Sequence, residues 1–274
     1  LEHNHKIFVM LPGPPSELTH VCEQQLWPLL DKKFAGQGII LSRTLRLRGI
    51  GESSVAEIID DLIVNQTNPT LAIYARRGEI IIRITAKAVD ATAATVMLDE
   101  GEAALRERLE KYIYGVDDES LASCLGKELL EQHKTISFAE SCTGGLASSL
   151  VTDIAGSSEY LIGSIVTYTN EAKHNLLKVN EATLSAYGAV SEETALEMAQ
   201  GVRKLFGSDY GVGITGNAGP GGSEGKPVGL VYIAIATPDE VYCKEFNFTS
   251  TRVENKLRIA LTAISMVIDK LKEN

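Results

Sequence analysis

The chain has 274 residues, of which 44% are hydrophobic and 23% charged, enough for about two domains with buried cores. Its formal net charge of −10 argues against non-specific nucleic-acid binding as the main activity. The 4 cysteines and 5 histidines show no metal-ligand spacing, and no apolar run approaches the roughly 20 residues of a membrane span. The sequence also opens without a signal-peptide pattern, so it predicts a cytoplasmic protein with reduced thiols, no metal and no cofactor.

Residues 1–37 predict one strand and one helix. Lys6–Leu11 is a short apolar run, and a helix is expected over about Ser16–Leu30. The two prolines of the intervening PGPPSE turn suit a first helical turn, and either Ser16 or Thr19 could cap the helix. Because one strand and one helix cannot enclose a core, this segment predicts the end of a larger domain.

Residues 38–116 predict a small α+β module whose order, strand–helix–strand–strand–helix, resembles a KH-type layout. A nucleic-acid-binding KH module clamps the backbone with a GxxG loop, and no such loop opens a helix here. Acidic and basic side chains roughly balance, so we expect a spacer or assembly role and no nucleic-acid partner. The expected elements are strand 39–48, helix 52–64, strands 70–74 and 79–88, and helix 91–112.

Residues 117–274 predict an α/β domain, because helical patterns alternate with apolar, buried-type strands. The polar sequence DDES at 117–120 marks its start. The expected elements are helices 121–133, 181–187 and 192–206, helices beginning near 146, 170 and 251, and strands 135–138, 164–169, 210–215, 230–237 and 241–248. The last helix carries an apolar stripe expected to pack on the sheet: Val253, Leu257, Leu261, Ile264, Ile268 and Leu271.

Two segments resemble nucleotide-binding motifs in sequence, but their position or spacing does not fit those motifs. GVGITG at 211–216 fits GxGxxG, but it lies within a strand instead of opening a helix. GGSEGKP at 221–227 is too short for a phosphate loop, and Pro227 stands where a serine or threonine must hold magnesium. Neither motif supports a nucleotide fold, and no GxSxG elbow is present.

The stretch TISFAESCTGG, 135–145, predicts strand, tight turn and helix. Ser141, Cys142 and Thr143 would then lie at a helix N-terminus, where free backbone N–H groups favour an anion. A simpler interpretation, about equally well supported by this stretch alone, is an ordinary helix start with Thr143 as N-cap.

Three further loops of the C-terminal half carry residues suited to catalysis or ligand binding. In VTYTNEAK, 166–173, a helix capped by Asn170 would place Lys173 in its first turn, where the dipole lowers a lysine pKa. Taken alone, this motif is better explained by a solvated lysine beside Glu171. TGNAGPGG, 215–222, offers flexible, bare backbone N–H groups, although a plain strand connection explains it equally well. Arg252 starts the last helix, an unfavourable place for a cation unless an anion binds there. Together these loops predict a phosphate-bearing small molecule met by a serine and a lysine.

The motifs AESCTGG, TYTNEAK, GAVSEETA, GITGNAGPGG and KPVGLVYIAIA, followed by the late arginine, resemble the C-terminal domain of the CinA family over 121–274. That domain is known as a nicotinamide-mononucleotide deamidase, which releases ammonia and nicotinate mononucleotide. The resemblance implies Ser141 as nucleophile, Lys173 as its base and Tyr168 as a further catalytic residue. It places these residues around the substrate: Thr143, Gly144, Gly145, Asn170, Thr215, Gly216, Gly219 and Arg252.

The N-terminal part resembles the middle of full-length CinA proteins, in which LPGPPSE closes a molybdopterin-cofactor-like nucleotide domain before the KH-like module. Residues 1–37 would be a remnant of that domain, so its ADP-ribose pyrophosphatase activity is not carried over. FTSTR at 248–252 departs from the family, which more often has glycine two residues before the arginine. The stacked modules suggest a homodimer, and a binding or adaptor protein with a degenerate site is the rival to an enzyme.

The implied mechanism is acyl transfer without a metal. Lys173 as free amine takes the proton of Ser141, which attacks the carboxamide carbon, while backbone N–H groups of 143–145 hold the oxyanion. Cys142 is the rival nucleophile. If the turn is extended, Ser141 and Thr143 face one way and Cys142 the other, into the packing, and this favours the serine.

Overall fold

The computed structural model describes residues 2–4 and 6–273. The strands are β1 (Glu2–His3), β2 (Lys6–Ile7), β3 (Ile39–Leu47), β4 (Thr70–Arg76), β5 (Glu79–Ala88), β6 (Ile113–Val116), β7 (Ile136–Glu140), β8 (Leu161–Val166), β9 (Tyr210–Gly216), β10 (Leu230–Ala236) and β11 (Val241–Asn247). The helices are α1 (Pro15–Val21), α2 (Trp27–Phe34), α3 (Glu52–Ile58), α4 (Asp60–Val64), α5 (Ala91–Leu109), α6 (Leu121–Glu131), α7 (Leu146–Thr152), α8 (Asn170–Leu177), α9 (Glu181–Tyr187), α10 (Glu192–Phe206) and α11 (Arg252–Lys272). This mixed α/β content is the predicted fold class.

The N-terminal segment differs from the prediction at both of its elements. The strand expected over Lys6–Leu11 ends at Ile7, where β2 pairs antiparallel with β1. The helix begins at Pro15 after an extended Pro14, so neither Ser16 nor Thr19 caps it. A π-helical stretch, Cys22–Leu26, joins α1 to α2. Its wider turn accommodates Pro28, which has no backbone N–H for an α-helical hydrogen bond.

A four-stranded sheet in the order β4-β5-β3-β6 forms the small module. The sequence missed β6, which pairs antiparallel with β3 through Leu45 and Val116. The single helix predicted over 52–64 is two helices, because the backbone leaves helical geometry at the fully buried Ile59.

By their contacts the residues divide into two compact units. The first holds the residues up to Arg43 together with Ile59–Ala72 and Arg83–Arg108, and the second holds Thr44–Ile58, Ile73–Ile82 and everything from Leu109. In the first unit, Ile84 and Ala86 of β5 are fully buried, as are Ala94 and Leu105 of α5. None of the helices within the described residues is long and apolar enough to cross a bilayer.

The second unit contains a five-stranded sheet in the order β11-β10-β9-β7-β8. β7 pairs in parallel with β8 on one side and with β9 on the other. β9, β10 and β11 pair antiparallel. The chain therefore leaves β7 to one side and returns to its other side, which makes the carboxyl end of β7 the place where such sheets bind ligands.

Helices cover both faces of this sheet. Large side chains of β7, β9 and β10 form a core with α6, α7 and α11. On the opposite face α10 approaches closely, because a Cβ on Gly211 or Gly213 would lie within 2.4 Å of a carbonyl oxygen of α10. The glycines of GVGITG thus serve helix packing inside β9. The rejection of a nucleotide fingerprint there agrees with this position.

The predicted stripe of α11 is right over most of its length and wrong at its start. Ile264, Ile268 and Leu271 are buried against the sheet, whereas Val253 is 71% exposed. The burial begins at Asn255 and Ile259 instead. The start of α11 is therefore exposed, and its packing on the sheet begins one turn later.

Candidate active site

Three loops meet at the carboxyl edge of the parallel strands. β7 runs directly into Ser141, β8 into Thr167, and β9 into Asn217. Backbone bonds tie the loops together: Ser141 donates its N–H to the carbonyl of Ile214 at 2.9 Å, and Thr167 donates its N–H to the carbonyl of Glu140 at 2.9 Å. The predicted serine loop and lysine loop are thus neighbours because β7 and β8 are neighbours.

A serine–lysine pair occupies this edge. Nζ of Lys173 lies 3.1 Å from Oγ of Ser141 and donates to the carbonyl of Thr167 at 2.8 Å. Lys173 sits in α8 and is 1% exposed. Ser141 is 9% exposed, so this residue keeps a small solvent-accessible surface.

Burial sets the protonation of Lys173. It lowers the pKa of Lys173 to about 8, because the charged ammonium is desolvated and has no carboxylate within ion-pair distance among the described residues. A neutral amine has two N–H bonds and one lone pair. With Thr167 accepting one N–H, the lone pair can face the serine hydroxyl, which is the arrangement that removes a proton.

Cys142 lies in different surroundings. It is 5% exposed and belongs to the core cluster of the sheet. Burial raises its thiol pKa to about 12, so it is a thiol and not a thiolate at neutral pH. The predicted alternation is only half right, because Thr143 is also fully buried and its hydroxyl has no hydrogen-bond partner among the described residues.

The N-terminus of α7 is already occupied by a side chain of this protein. The buried carboxylate of Glu140 accepts N–H bonds from Gly145 at 3.0 Å, Ala147 at 3.1 Å and Ser148 at 2.9 Å, and the Ser148 hydroxyl as well. The expectation of a free anion site at this helix start is therefore wrong. Thr143 is not the N-cap either, since the cap is Gly145 with φ 92°.

These bonds limit which amides of the turn can meet a substrate. Gly144 donates its N–H to the carbonyl of Ser141 at 3.1 Å, and Gly145 donates to Glu140. The predicted oxyanion donors from Gly144 and Gly145 are thus engaged within the turn. The backbone N–H groups of Cys142 and Thr143 make no hydrogen bond to the part of the chain that the structure describes.

Arg252 joins the loops from the far side. Its guanidinium donates to the Tyr168 hydroxyl at 2.8 Å and to the Gly219 carbonyl at 2.5 Å. Asn255, fully buried one turn later, donates to the carbonyls of Ala218 and Ser250 and so fixes the approach to α11. The structure thus brings Tyr168, Gly219 and Arg252 together at the opening of the site.

The other predicted site residues lie nearby with mixed exposure. Thr215 donates its hydroxyl to the carbonyl of Ala189 at 2.5 Å and is 1% exposed. Gly216 is inside β9, where a Cβ would strike Val231. Asn170 is exposed in the first turn of α8 and is not the predicted cap. Thr169 caps the helix instead, and its hydroxyl accepts the N–H of Ala172 at 3.1 Å.

The loop after β9 was expected to be flexible, yet side chains fix it in place. Asn217 accepts from the Ser223 hydroxyl at 2.6 Å and donates to two carbonyls of the returning chain. Glu224 accepts the N–H groups of Ala189 and Val190, and Lys226 donates to the carbonyl of Val190 at 2.6 Å. These hydrogen bonds therefore hold the loop in one conformation beside Thr215.

Sequence reasoning missed Glu140, Thr167, Asn255 and Lys256. Glu140 ends β7 and Thr167 directly follows β8, so strand ends are the signal that could have found them. A Cβ on Gly144 would lie 3.6 Å from Nζ of Lys256, a residue of α11 more than a hundred positions away. No local pattern reveals that contact. Within residues 2–4 and 6–273, no three His, Cys, Asp or Glu side chains lie close enough to hold a metal ion.

Comparison with known families supplies the class of protein. Residues 118–271 match the CinA C-terminal domain, and residues 42–115 match the KH domain of the damage-inducible protein CinA. The chain belongs to the CinA family.

Relatives at high identity carry the same family name. A competence-damage inducible protein of Moorella thermoacetica is 46% identical over 273 residues, covering 99% of this chain and 66% of that protein. One from Bacillus pumilus is 43% identical over 274 residues, covering 100% of this chain and 66% of that protein. The chain thus spans slightly less than two thirds of the length of these curated relatives, and their names state no reaction.

Solved structures match a little more than half of the chain. A competence/damage inducible protein from Agrobacterium tumefaciens superposes with a TM-score of 0.53 at 41% identity, covering 54% of this chain and 92% of that one. A CinA superfamily protein from Klebsiella pneumoniae gives 0.55 at 30% identity, covering 56% and 97%. The α/β domain that holds the serine–lysine pair is therefore a CinA-type domain.

Proposed function

We propose that this chain is an amidohydrolase that converts nicotinamide mononucleotide to nicotinate mononucleotide and ammonia. One observation carries the proposal: a buried lysine with a lowered pKa lies 3.1 Å from a serine hydroxyl at the ligand-binding edge of the sheet. The motif resemblance to the CinA deamidase domain supplies the substrate, and membership of the family supports it.

In the proposed reaction Lys173 takes the proton of Ser141 as the serine oxygen attacks the carboxamide carbon. The amides of Cys142 and Thr143 are the turn's remaining donors for the oxyanion. The Lys173 ammonium then returns the proton to the leaving nitrogen, and ammonia departs. Water hydrolyses the nicotinoyl ester, with the lysine again as base, and nicotinate mononucleotide is released.

The remaining predicted residues position the substrate in this proposal. Arg252 at the opening meets the phosphate, and its contacts with Tyr168 and Gly219 hold the guanidinium in place. Thr143, whose hydroxyl has no partner among the described residues, and Thr215 contact the substrate in this proposal, while Gly144 leaves the turn open to the nucleotide.

Ammonia release from nicotinamide mononucleotide by the purified chain tests the proposal. Ser141→Ala should lose nearly all activity, whereas Cys142→Ala should keep most of it and iodoacetamide should have little effect, because the thiol is buried and protonated. The two variants are matched, since each removes one side-chain atom from adjacent positions. Full activity of Ser141→Ala, or inactivation by iodoacetamide that substrate prevents, would assign the chemistry to another group.

A further inference from the structure

A second cation lies over the nucleophile turn. Nζ of Lys256 comes within 3.6 Å of the position that a Cβ of Gly144 would take, so the ammonium stands above the exposed backbone of that glycine. Lys256 follows Arg252 by four residues in α11, and residues at that spacing share one helix face. The first two turns of α11 thus place one positive side chain beside Gly144 and another beside Tyr168 and Gly219.

Neither cation has an acidic partner among the residues that the structure describes. The one carboxylate in the first turn of α11, Glu254, lies near Arg77 at 3.7 Å and Arg258 at 3.8 Å. Glu140, the carboxylate closest in sequence to the nucleophile, is taken up by the α7 amides. Two cations without an acidic partner among the described residues thus share one face of α11, in a chain whose net charge is −10.

The two side chains differ in how they are held. The Arg252 guanidinium already donates to Tyr168 and Gly219, which fixes its orientation. Lys256 makes no hydrogen bond to any described residue, so all three of its N–H bonds are available. Like charges four residues apart on a helix repel each other, and a doubly charged anion between them would relieve that repulsion.

We infer that Arg252 and Lys256 form a two-cation clamp for the phosphate of the substrate, and that Lys256 is the residue that selects a mononucleotide over the corresponding nucleoside. This inference rests on the proposed function for the identity of the substrate. The clamp itself requires only a phosphomonoester. Arg252 supplies a fixed, directional contact, and Lys256 adds the second charge that a dianion can use and a neutral ribose hydroxyl cannot.

The test compares ammonia release from nicotinamide mononucleotide and from nicotinamide riboside. Lys256→Gln should lower kcat/KM for the mononucleotide about ten- to a hundredfold, mostly through KM, and leave that for the riboside unchanged. Lys256→Arg should retain most of the discrimination. Lys204→Gln removes an exposed lysine near the C-terminal end of α10 and should leave kcat/KM unchanged for both substrates. Equal losses on both substrates, or no loss on either, would overturn the role given to Lys256.

A binding measurement separates this inference from the proposed function. Calorimetry with ribose 5-phosphate should show binding to the wild type that weakens in Lys256→Gln by a similar factor, and ribose should show no difference. If the wild type released no ammonia but bound ribose 5-phosphate through Lys256, the proposed function would fall and the clamp would stand. Equal binding of ribose 5-phosphate to both proteins would refute the clamp.

Discussion

At the scale of single residues, the burial of Lys173 destabilises the fold and also lowers its pKa toward the range that a general base needs. It is 1% exposed, faces a serine hydroxyl and a carbonyl, and pairs with no described carboxylate. Burial lowers its pKa from 10.5 to about 8, so near neutral pH the folded protein keeps a desolvated charge. That cost is about 3 kcal/mol at pH 7 from the size of the change. A buried charge that destabilises the folded protein by this much is typical of a functional position.

Lys173→Met should therefore abolish ammonia release and stabilise the fold, because methionine fills similar space without a charge. The gain at pH 7 should be up to about 3 kcal/mol. Between pH 8 and 10.5 the unfolded wild type binds more protons than the folded one, so the wild type gains stability there and the advantage of the variant shrinks. Urea denaturation at pH 7 and pH 9.5 measures both effects.

Lys204→Met is the control for this comparison, since Lys204 is exposed and its loss should alter stability little at either pH. A Lys173→Met protein less stable than the wild type at pH 7 would mean that the ammonium is well solvated or paired in solution.

The sequence predicted some site residues and not others for a physical reason. Ser141 and Lys173 stand in short strand–turn–helix segments whose local pattern places them at a sheet edge. The capping role considered for Thr143 falls to Glu140, whose carboxylate reaches forward from the end of β7 to the first amides of α7. Only the fold of the turn shows this. Lys256 follows the predicted Arg252 by four residues and shares its helix face, but its approach to Gly144 depends on the packing of α11, which the sequence does not reveal.

At the scale of elements, the parallel arrangement of β8, β7 and β9 creates the site, and glycines make that arrangement possible. A Cβ on Gly213 would lie 2.4 Å from the carbonyl oxygen of Ala195 and 2.7 Å from the backbone nitrogen of Ala199, both in α10. Backbone atoms cannot move aside as a flexible side chain can. β9 and α10 are thus held at a distance that only glycine permits.

Gly213→Ala should destabilise the protein by at least the roughly 1–3 kcal/mol of an overpacked core, and lower activity as β9 shifts. Gly221→Ala is the matched control, because nothing lies within 4 Å of the Cβ it would add. Thermal unfolding of the two variants gives the comparison. Equal melting temperatures would show that α10 can move away from the sheet without cost.

Elements missed by the sequence share a cause, which is tertiary context. β6 is a four-residue strand that exists through its pairing with β3. β8 begins at Leu161, three residues before the predicted start, and includes Gly163, whose missing Cβ makes room for the ring of Phe206. Helices α9 and α10 have the predicted bounds, and in the structure the side chains of Asn180 and Ser191 cap them.

At the scale of the whole molecule, the expected homodimer stays a prediction. Light scattering of the purified chain should give twice the mass of 29.6 kDa. A mass equal to that of one chain at micromolar concentration would contradict the homodimer. It would not affect the assignment of the serine–lysine pair. The predicted domain boundaries at 37 and 116 likewise remain to be tested, for which limited proteolysis is suited.

The pH dependence of ammonia release from nicotinamide mononucleotide tests the serine–lysine mechanism most directly. Lys173 must be neutral to accept the serine proton, so kcat/KM should rise with pH through a single ionisation near 8 and then level off. Lys173→Arg should be nearly inactive throughout, since a guanidinium keeps its proton in this range. An active arginine variant, or a wild-type profile that is flat from pH 7 to 9.5, would contradict the assignment of Lys173 as the base.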